Sequence, residues 1–434
     1  MATRTRPAAA DRSGRQIAIR VALGVAVIGA LALGAALYMI NLSVLNPWHG
    51  GFDLKVYRGA VVWWLDSKPL YAFHRNATPY GFTYPPFAAL TMLPMSLFTQ
   101  TGALWVNGAL SAVVLVALTW WLVAPVAARH GWSRWFAVGV AVPLVYLIEP
   151  VRETIAYGQV NLYLMALVLL DVALLARGNR LAGIGIGLAT AIKLTPGLFI
   201  LYLLITGRWR AAATAAGTFV GATLLAGAVA PGTSKQYWTA TLFETNRVGK
   251  VDSADNQSVL SLVARAVGTG PLSSLVWVVA AGLLLVAGML RARQAWRRGD
   301  ELVGVTLTGL VACLVSPISW THHLIWVVPA ILVLIDVALG TPVTAPDWLR
   351  DRRLVAGATA LAASAIFGFS VVWYFANFDG SIPRHDAATA IGANAYVLAM
   401  LAMLVLVPAR ALPATVVRPG STPARMAVGT ALPD

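Results

Sequence analysis

Acidic side chains are scarce in this 434-residue chain: 17 Asp and Glu stand against 32 Lys and Arg, and charged residues make up only 11% of the whole. Hydrophobic residues make up 59%. A water-soluble protein with that balance would expose large apolar patches, so much of the surface must face lipid. Cysteine is almost missing too. The single one, Cys313, lies in an apolar run and excludes an intrachain disulfide framework. Nucleophile elbows, phosphate-cradling glycine loops and dinucleotide fingerprints are absent, and the stretch "GIGIG" (183–187) sits inside an apolar segment, where it reads as close helix packing. The net charge of +15 comes from short basic clusters between apolar segments. No basic stripe alternates with exposed aromatics, which excludes nucleic acid as a partner and points to anionic membrane lipid.

What is there is a series of apolar spans, at about 17–40, 101–126, 135–149, 160–176, 181–192, 196–206, 211–230, 272–292, 301–315, 322–340, 354–375 and 389–409. The fold class is therefore an all-α polytopic membrane protein with about twelve transmembrane helices. Residues 1–16 form a basic N-terminal tail, 17–409 the membrane domain, and 410–434 a Pro/Ala-rich tail that reads as disordered. The run from Val21 to Ile40 is too long for a signal-peptide core and reads as an uncleaved first helix. "YPPFAALTMLPMSLF" (84–98) is short and proline-broken, which suits a re-entrant or interfacial segment. With the N-terminus cytoplasmic, the loops "ARHGWSR", "RGNR", "GRWR", "RARQAWRRGDE" and "DWLRDRR" all fall inside and all are basic. Both termini are then cytoplasmic, and the outer loops are 41–83, 150–159, 231–271, 316–321 and 376–388.

The chemistry-bearing residues gather on that outer side. In "HGGFDLKVYRGAVVWW" (49–64), Leu54, Tyr57, Val61 and Trp64 share one helical stripe, the pattern of an amphipathic surface helix. Asp53 at its start reads equally as an N-cap and as a functional carboxylate. Tyr84 precedes the Pro85–Pro86 pair, a stiff entry into a helix. Gln159 and Asn161 stand at a helix mouth, where amides cap a helix or bind sugar hydroxyls. In "AIKLTPGLF", Lys193 borders a helix start with Thr195 as N-cap and Pro196 as first helical residue, which suits an anion or a snorkelling lysine. "SPISWTHHL" carries His322 and His323. Neighbouring histidines face different ways on a helix, and no carboxylate lies between Glu301 and Asp336, so no metal site is expected. These two residues then serve as hydrogen-bond donors to phosphate or sugar, or as local packing. The 231–271 loop reads as a lid with a short interfacial helix.

A carboxylate in the first outer loop followed by a surface helix resembles the GT-C class of membrane glycosyltransferases. "FDLKVYRGA", "FTYPPFAAL", "GQVNL", "AIKLTPGLFILYLL" and "SPISWTHHL", in this order, resemble glycosyltransferase family 87, the actinobacterial polyprenyl-phosphate-mannose-dependent mannosyltransferases. The likeness runs from about residue 20 to 405, and the Ala/Val/Arg bias looks mycobacterial. The resemblance implies a GT-C fold in the plasma membrane with its active site facing the periplasm. The donor it implies is polyprenyl-phosphate mannose, the acceptor a phosphatidylinositol mannoside, and the product an α-1,2 linkage made without a cofactor. The donor carries a β-linked sugar, so an α product requires inversion. The implied general base is Asp53, although the paired-acid motif common in GT-C enzymes is not matched here. Lys193, His322 and Arg152 are then expected at the donor phosphate, and Gln159, Asn161, Tyr84 and His323 at the sugar or acceptor. Lipomannan-type α-1,2 branching, arabinosyl transfer and a lipid-linked sugar flippase stay open as alternatives.

Overall fold

A computed structural model describes residues 50–75, 80–244, 247–344, 352–377, 379–383 and 386–412. The expected first span (17–40), the tail 1–16 and most of the tail 410–434 lie outside the described residues. In chain order the helices are α1 (Phe52–Leu65), α2 (Pro86–Met92), α3 (Gln100–Arg129), α4 (Arg134–Leu147), α5 (Glu149–Tyr157) and α6 (Asn161–Ala176). They continue with α7 (Ile184–Ile192), α8 (Leu198–Ile205), α9 (Trp209–Val229), α10 (Pro231–Thr239), α11 (Val259–Val267) and α12 (Pro271–Arg297). The last are α13 (Glu301–Val315), α14 (Val327–Ala338), α15 (Arg352–Gly368), α16 (Ala387–Gly392) and α17 (Ala395–Leu406). Among the described residues, extended pairing is limited to isolated bridges such as Asn256 with Trp320.

The chain is a membrane protein. α3, α9 and α12 are each long and apolar enough to cross a bilayer, and α4 with α5 make a fourth candidate bent by 72°. α12 leaves Leu272, Leu275, Val279, Leu283, Val286 and Leu290 exposed, each at least 56% accessible, as expected where lipid is the solvent. The remaining apolar segments form shorter helices. The spans read at 181–192 and 196–206 become α7, nine residues, and α8, eight residues. At 1.5 Å per residue, neither covers a hydrocarbon core of roughly 30 Å.

The glycines of "GIGIG" do what small residues do between helices. A Cβ on Gly187 would lie 2.5 Å from Ala215 O, and one on Gly185 would lie 2.3 Å from Leu167 O, so α7 seats directly on the backbones of α9 and α6. Asp171 of α6 accepts from Ile186 N at 2.7 Å, satisfying the start of α7 from a neighbouring helix.

Two expected loops are partly helical. Residues 150–159 hold most of α5, which starts at Glu149 with Pro150 in its first turn and stops at Gly158, a left-handed residue at φ 72°. The 231–271 loop contains α10 and α11, the latter capped by Ser258 on Ser261 N. Its Asn256 and Gln257 are fully buried and bond to Pro317 O and Ala393 O, so this part of the loop is scaffold. At the opposite end of the helices, Arg410 donates from Nε to Asp300 (2.8 Å) and from Nη1 to Asp336 (2.9 Å). Arg129 and His130 also reach Asp336, at 2.5 and 3.0 Å. This buried ion network fastens the C-terminal segment, where Val343 and Arg410 form an isolated bridge.

Candidate active site

The site begins with how α1 meets α5. Gly50 and Gly51 both take left-handed φ values, which turn the chain into α1 before Asp53 is reached. Gly51 is therefore the N-cap, and Asp53 is not, contrary to one reading of its position. Asp53 lies in the first turn, where the helix dipole still favours a carboxylate. Gly51 N donates to Ala156 O at 3.0 Å. A Cβ on Gly158 would strike Leu54 Cβ at 2.6 Å, so only glycine lets the end of α5 approach α1 this closely. That contact sets Gln159 beside Asp53.

Gln159 Nε2 donates to Asp53 Oδ2 over 2.7 Å. Its Oε1 accepts from the Tyr84 hydroxyl at 2.9 Å, and Tyr57 OH donates to Tyr84 OH at 3.0 Å. Burial pushes both tyrosine hydroxyls well up, so they remain protonated donors at neutral pH. Tyr57 follows Asp53 by four residues on the same face of α1, a spacing that could have marked it.

Lys193 occupies the break between α7 and α8 in an extended conformation. Thr195 does not cap the next helix. The chain enters α8 through a 3₁₀ turn, Thr195–Gly197, whose preceding residue is Leu194, with no side-chain cap. Lys193 Nζ instead donates to Asn161 Oδ1 at 3.0 Å and lies 5.3 Å from the Tyr84 ring centroid. Asn161 Nδ2 donates to His322 O at 2.8 Å, a carbonyl that also accepts from Thr154 Oγ1 at 2.9 Å. Burial lowers the Lys193 amine to about 7, opposed by the Asp53 carboxylate, whose charge acts on it.

Lys193, Asn161, Thr195, Ser319 and His323 line a cavity of about 40 Å³ together with the apolar Phe199 and Trp326. The paired histidines part company: His323 faces this cavity, whereas the His322 ring packs on Tyr157 with centroids 5.1 Å apart. Arg152 does not join this group. It donates to Leu147 O (3.0 Å) and Ser370 Oγ (2.6 Å), next to a buried set in which Glu149 accepts from Trp373 and Tyr396. Ser370 lies 218 residues from Arg152, and no local pattern signals such a partner. Among the described residues, no three His, Cys, Asp or Glu side chains are grouped so as to hold a metal ion.

Asp53, Gln159, Tyr84, Lys193, Asn161 and the two histidines thus come together from α1, the entry to α2, α6 and the three breaks after residues 158, 192 and 315. A carboxylate stands at one end and a cation at the other, joined by amide and phenol groups. Such an arrangement accepts a proton at one point while neutralising a developing anion at another.

Comparisons with known proteins identify the family. The model of glycosyltransferase family 87 matches residues 82–317. A Mycobacterium tuberculosis protein named polyprenol-phosphate-mannose-dependent alpha-(1-2)-phosphatidylinositol mannoside mannosyltransferase is 32% identical over 91% of this chain and 94% of its own length. A Mycolicibacterium smegmatis protein named as the corresponding phosphatidylinositol pentamannoside mannosyltransferase is 30% identical over 82% of this chain and 87% of its own. No solved structure matches. The chain belongs to glycosyltransferase family 87.

Proposed function

We propose that the chain is an inverting mannosyltransferase that moves mannose from polyprenyl-phosphate mannose to a phosphatidylinositol mannoside, forming an α-1,2 linkage. The names of its relatives support the donor, acceptor and linkage. The observation that carries the mechanism is the linkage of Asp53 to Lys193 through Gln159 and Tyr84.

In this reading Asp53 takes the proton of the acceptor 2-hydroxyl as its oxygen attacks the anomeric carbon. The bond from that carbon to the phosphate oxygen breaks on the opposite face, which inverts the centre in one displacement. The negative charge left on the polyprenyl phosphate is met by Lys193 and, at the same cavity, by Asn161 and His323 as hydrogen-bonding groups. In this reading His322 and Arg152, expected at the phosphate, serve in packing and positioning, which their contacts support. Phosphate charge is met by Lys193 rather than by a metal ion.

The architecture we propose is GT-C, with about twelve crossings, both termini cytoplasmic and the site open to the periplasm. The basic loops support that orientation. The twelve crossings would include half-length helices such as α7 and α8, tolerated because protein buries their ends. Incubating the purified protein with polyprenyl-phosphate mannose and defined phosphatidylinositol mannosides, then mapping the product linkage, tests the reading. A product with a linkage other than α-1,2, or none, would refute it.

A further inference from the structure

Gln159 reads from the sequence as a sugar contact, but both ends of its amide are already committed inside the protein. Nε2 donates to Asp53 Oδ2 at 2.7 Å. Oε1 accepts from Tyr84 OH at 2.9 Å and from Val160 N at 3.3 Å. Turning the amide over would set its oxygen against the Asp53 carboxylate and its N–H against Val160 N–H, so only one orientation satisfies the group. The lock is itself supported. Tyr57 OH donates to Tyr84 OH at 3.0 Å, and Tyr71 OH donates to Tyr84 O at 2.8 Å. Gln159 is 4% accessible, which leaves no room for water to replace these partners. The backbone is held as firmly, since Gly158 packs on Leu54 of the helix that carries Asp53.

We infer that Gln159 is the positioning residue of Asp53, its amide locked by Tyr84 and Val160 so that the carboxylate is held in the orientation that receives the acceptor proton. This rests on the role of Asp53 as base. An amide N–H that bonds a carboxylate also favours its charged form, so the same contact widens the pH range over which the base works. Tyr84 gains a double duty: its hydroxyl holds the amide, and its ring lies against the Lys193 ammonium. A substitution there touches both ends of the reaction, whereas one at Gln159 touches only the base.

The test compares Gln159→Leu, the isosteric Gln159→Glu and Asp53→Asn, assayed for kcat, acceptor KM and the pH dependence of kcat/KM with polyprenyl-phosphate mannose and a phosphatidylinositol mannoside. Gln159→Leu should lose about 10- to 100-fold in kcat, with acceptor KM changing less than about threefold. Gln159→Glu places a second carboxylate against Asp53 and should move the acid limb upward by about one pH unit or more, a change that loss of folding does not mimic. Two results overturn the inference alone: either glutamine variant raising acceptor KM with kcat and the acid limb unchanged, or both behaving as wild type, while Asp53→Asn is inactive. An Asp53→Asn protein that keeps its turnover overturns the base assignment and this inference together.

Discussion

Lys193 Nζ lies 3.0 Å from Asn161 Oδ1, a contact between the break after α7 and the first residue of α6. The pairing holds the amine at the cavity without neutralising it, because an amide oxygen carries no formal charge. A buried amine that, when protonated, has no carboxylate hydrogen-bonded to it in the way of an incoming anion is what departure of a phosphate requires.

Lys193→Met should therefore lower kcat/KM by about 10²- to 10³-fold, the usual effect of removing one group that stabilises a developing anion. Folding should survive, since methionine fills similar volume. Near-normal turnover of the purified variant would show that the leaving phosphate is met elsewhere.

The amine lowered to about 7 also sets a pH dependence. Below that value the empty site carries the ammonium and binds the anionic donor directly; above it, the site must first take up a proton. Donor KM should rise with pH above about 7, approaching tenfold per unit. Lys193→Arg keeps its charge across this range and should flatten the profile, whatever its absolute activity. Donor titrations from about pH 6 to about pH 9 read both, and a flat wild-type profile would contradict the assignment.

Arg410 joins Asp300 and Asp336, both fully buried, at the end of the molecule remote from the site. Arg410→Ala strands the Asp300 carboxylate, while Asp336 keeps Arg129 and His130, and should destabilise the fold by about 3–5 kcal/mol, read as a lower unfolding temperature in detergent. The double change Asp300→Asn with Arg410→Ala should recover part of the loss, because it removes the stranded charge.

Gly187 tests the helix packing around the site. Gly187→Val would put a branched side chain where a single Cβ already lies 2.5 Å from Ala215 O, forcing α7 off α9. Expression as a folded protein should fall sharply. The same change at Gly217, which has nothing within 4 Å of its Cβ position, should be tolerated.

Much of the site was legible because it is built at element ends. Asp53, Tyr84, Gln159, Asn161 and Lys193 all border glycine or proline punctuation in the sequence, and each break does bring its residue to the same place. Local spacing could not say how each was engaged. Gln159 bonds across 106 residues to Asp53, and Asn161 uses a backbone carbonyl 161 residues away, so amides read as ligand contacts proved to hold other protein groups. Arg152 follows the same rule, since its partner Ser370 lies 218 residues away. The count of crossings was less legible because hydropathy marks apolar segments and not their lengths once folded; α7 and α8 satisfy the pattern at half the span.

The central claim is tested most directly by Asp53→Asn, which keeps size and hydrogen bonding while removing the basic oxygen. With the purified, reconstituted variant and both lipid substrates at saturation, mannosyl transfer should fall by about 10²- to 10⁴-fold, with unfolding temperature and donor binding unchanged. Transfer within a few-fold of wild type would contradict the account.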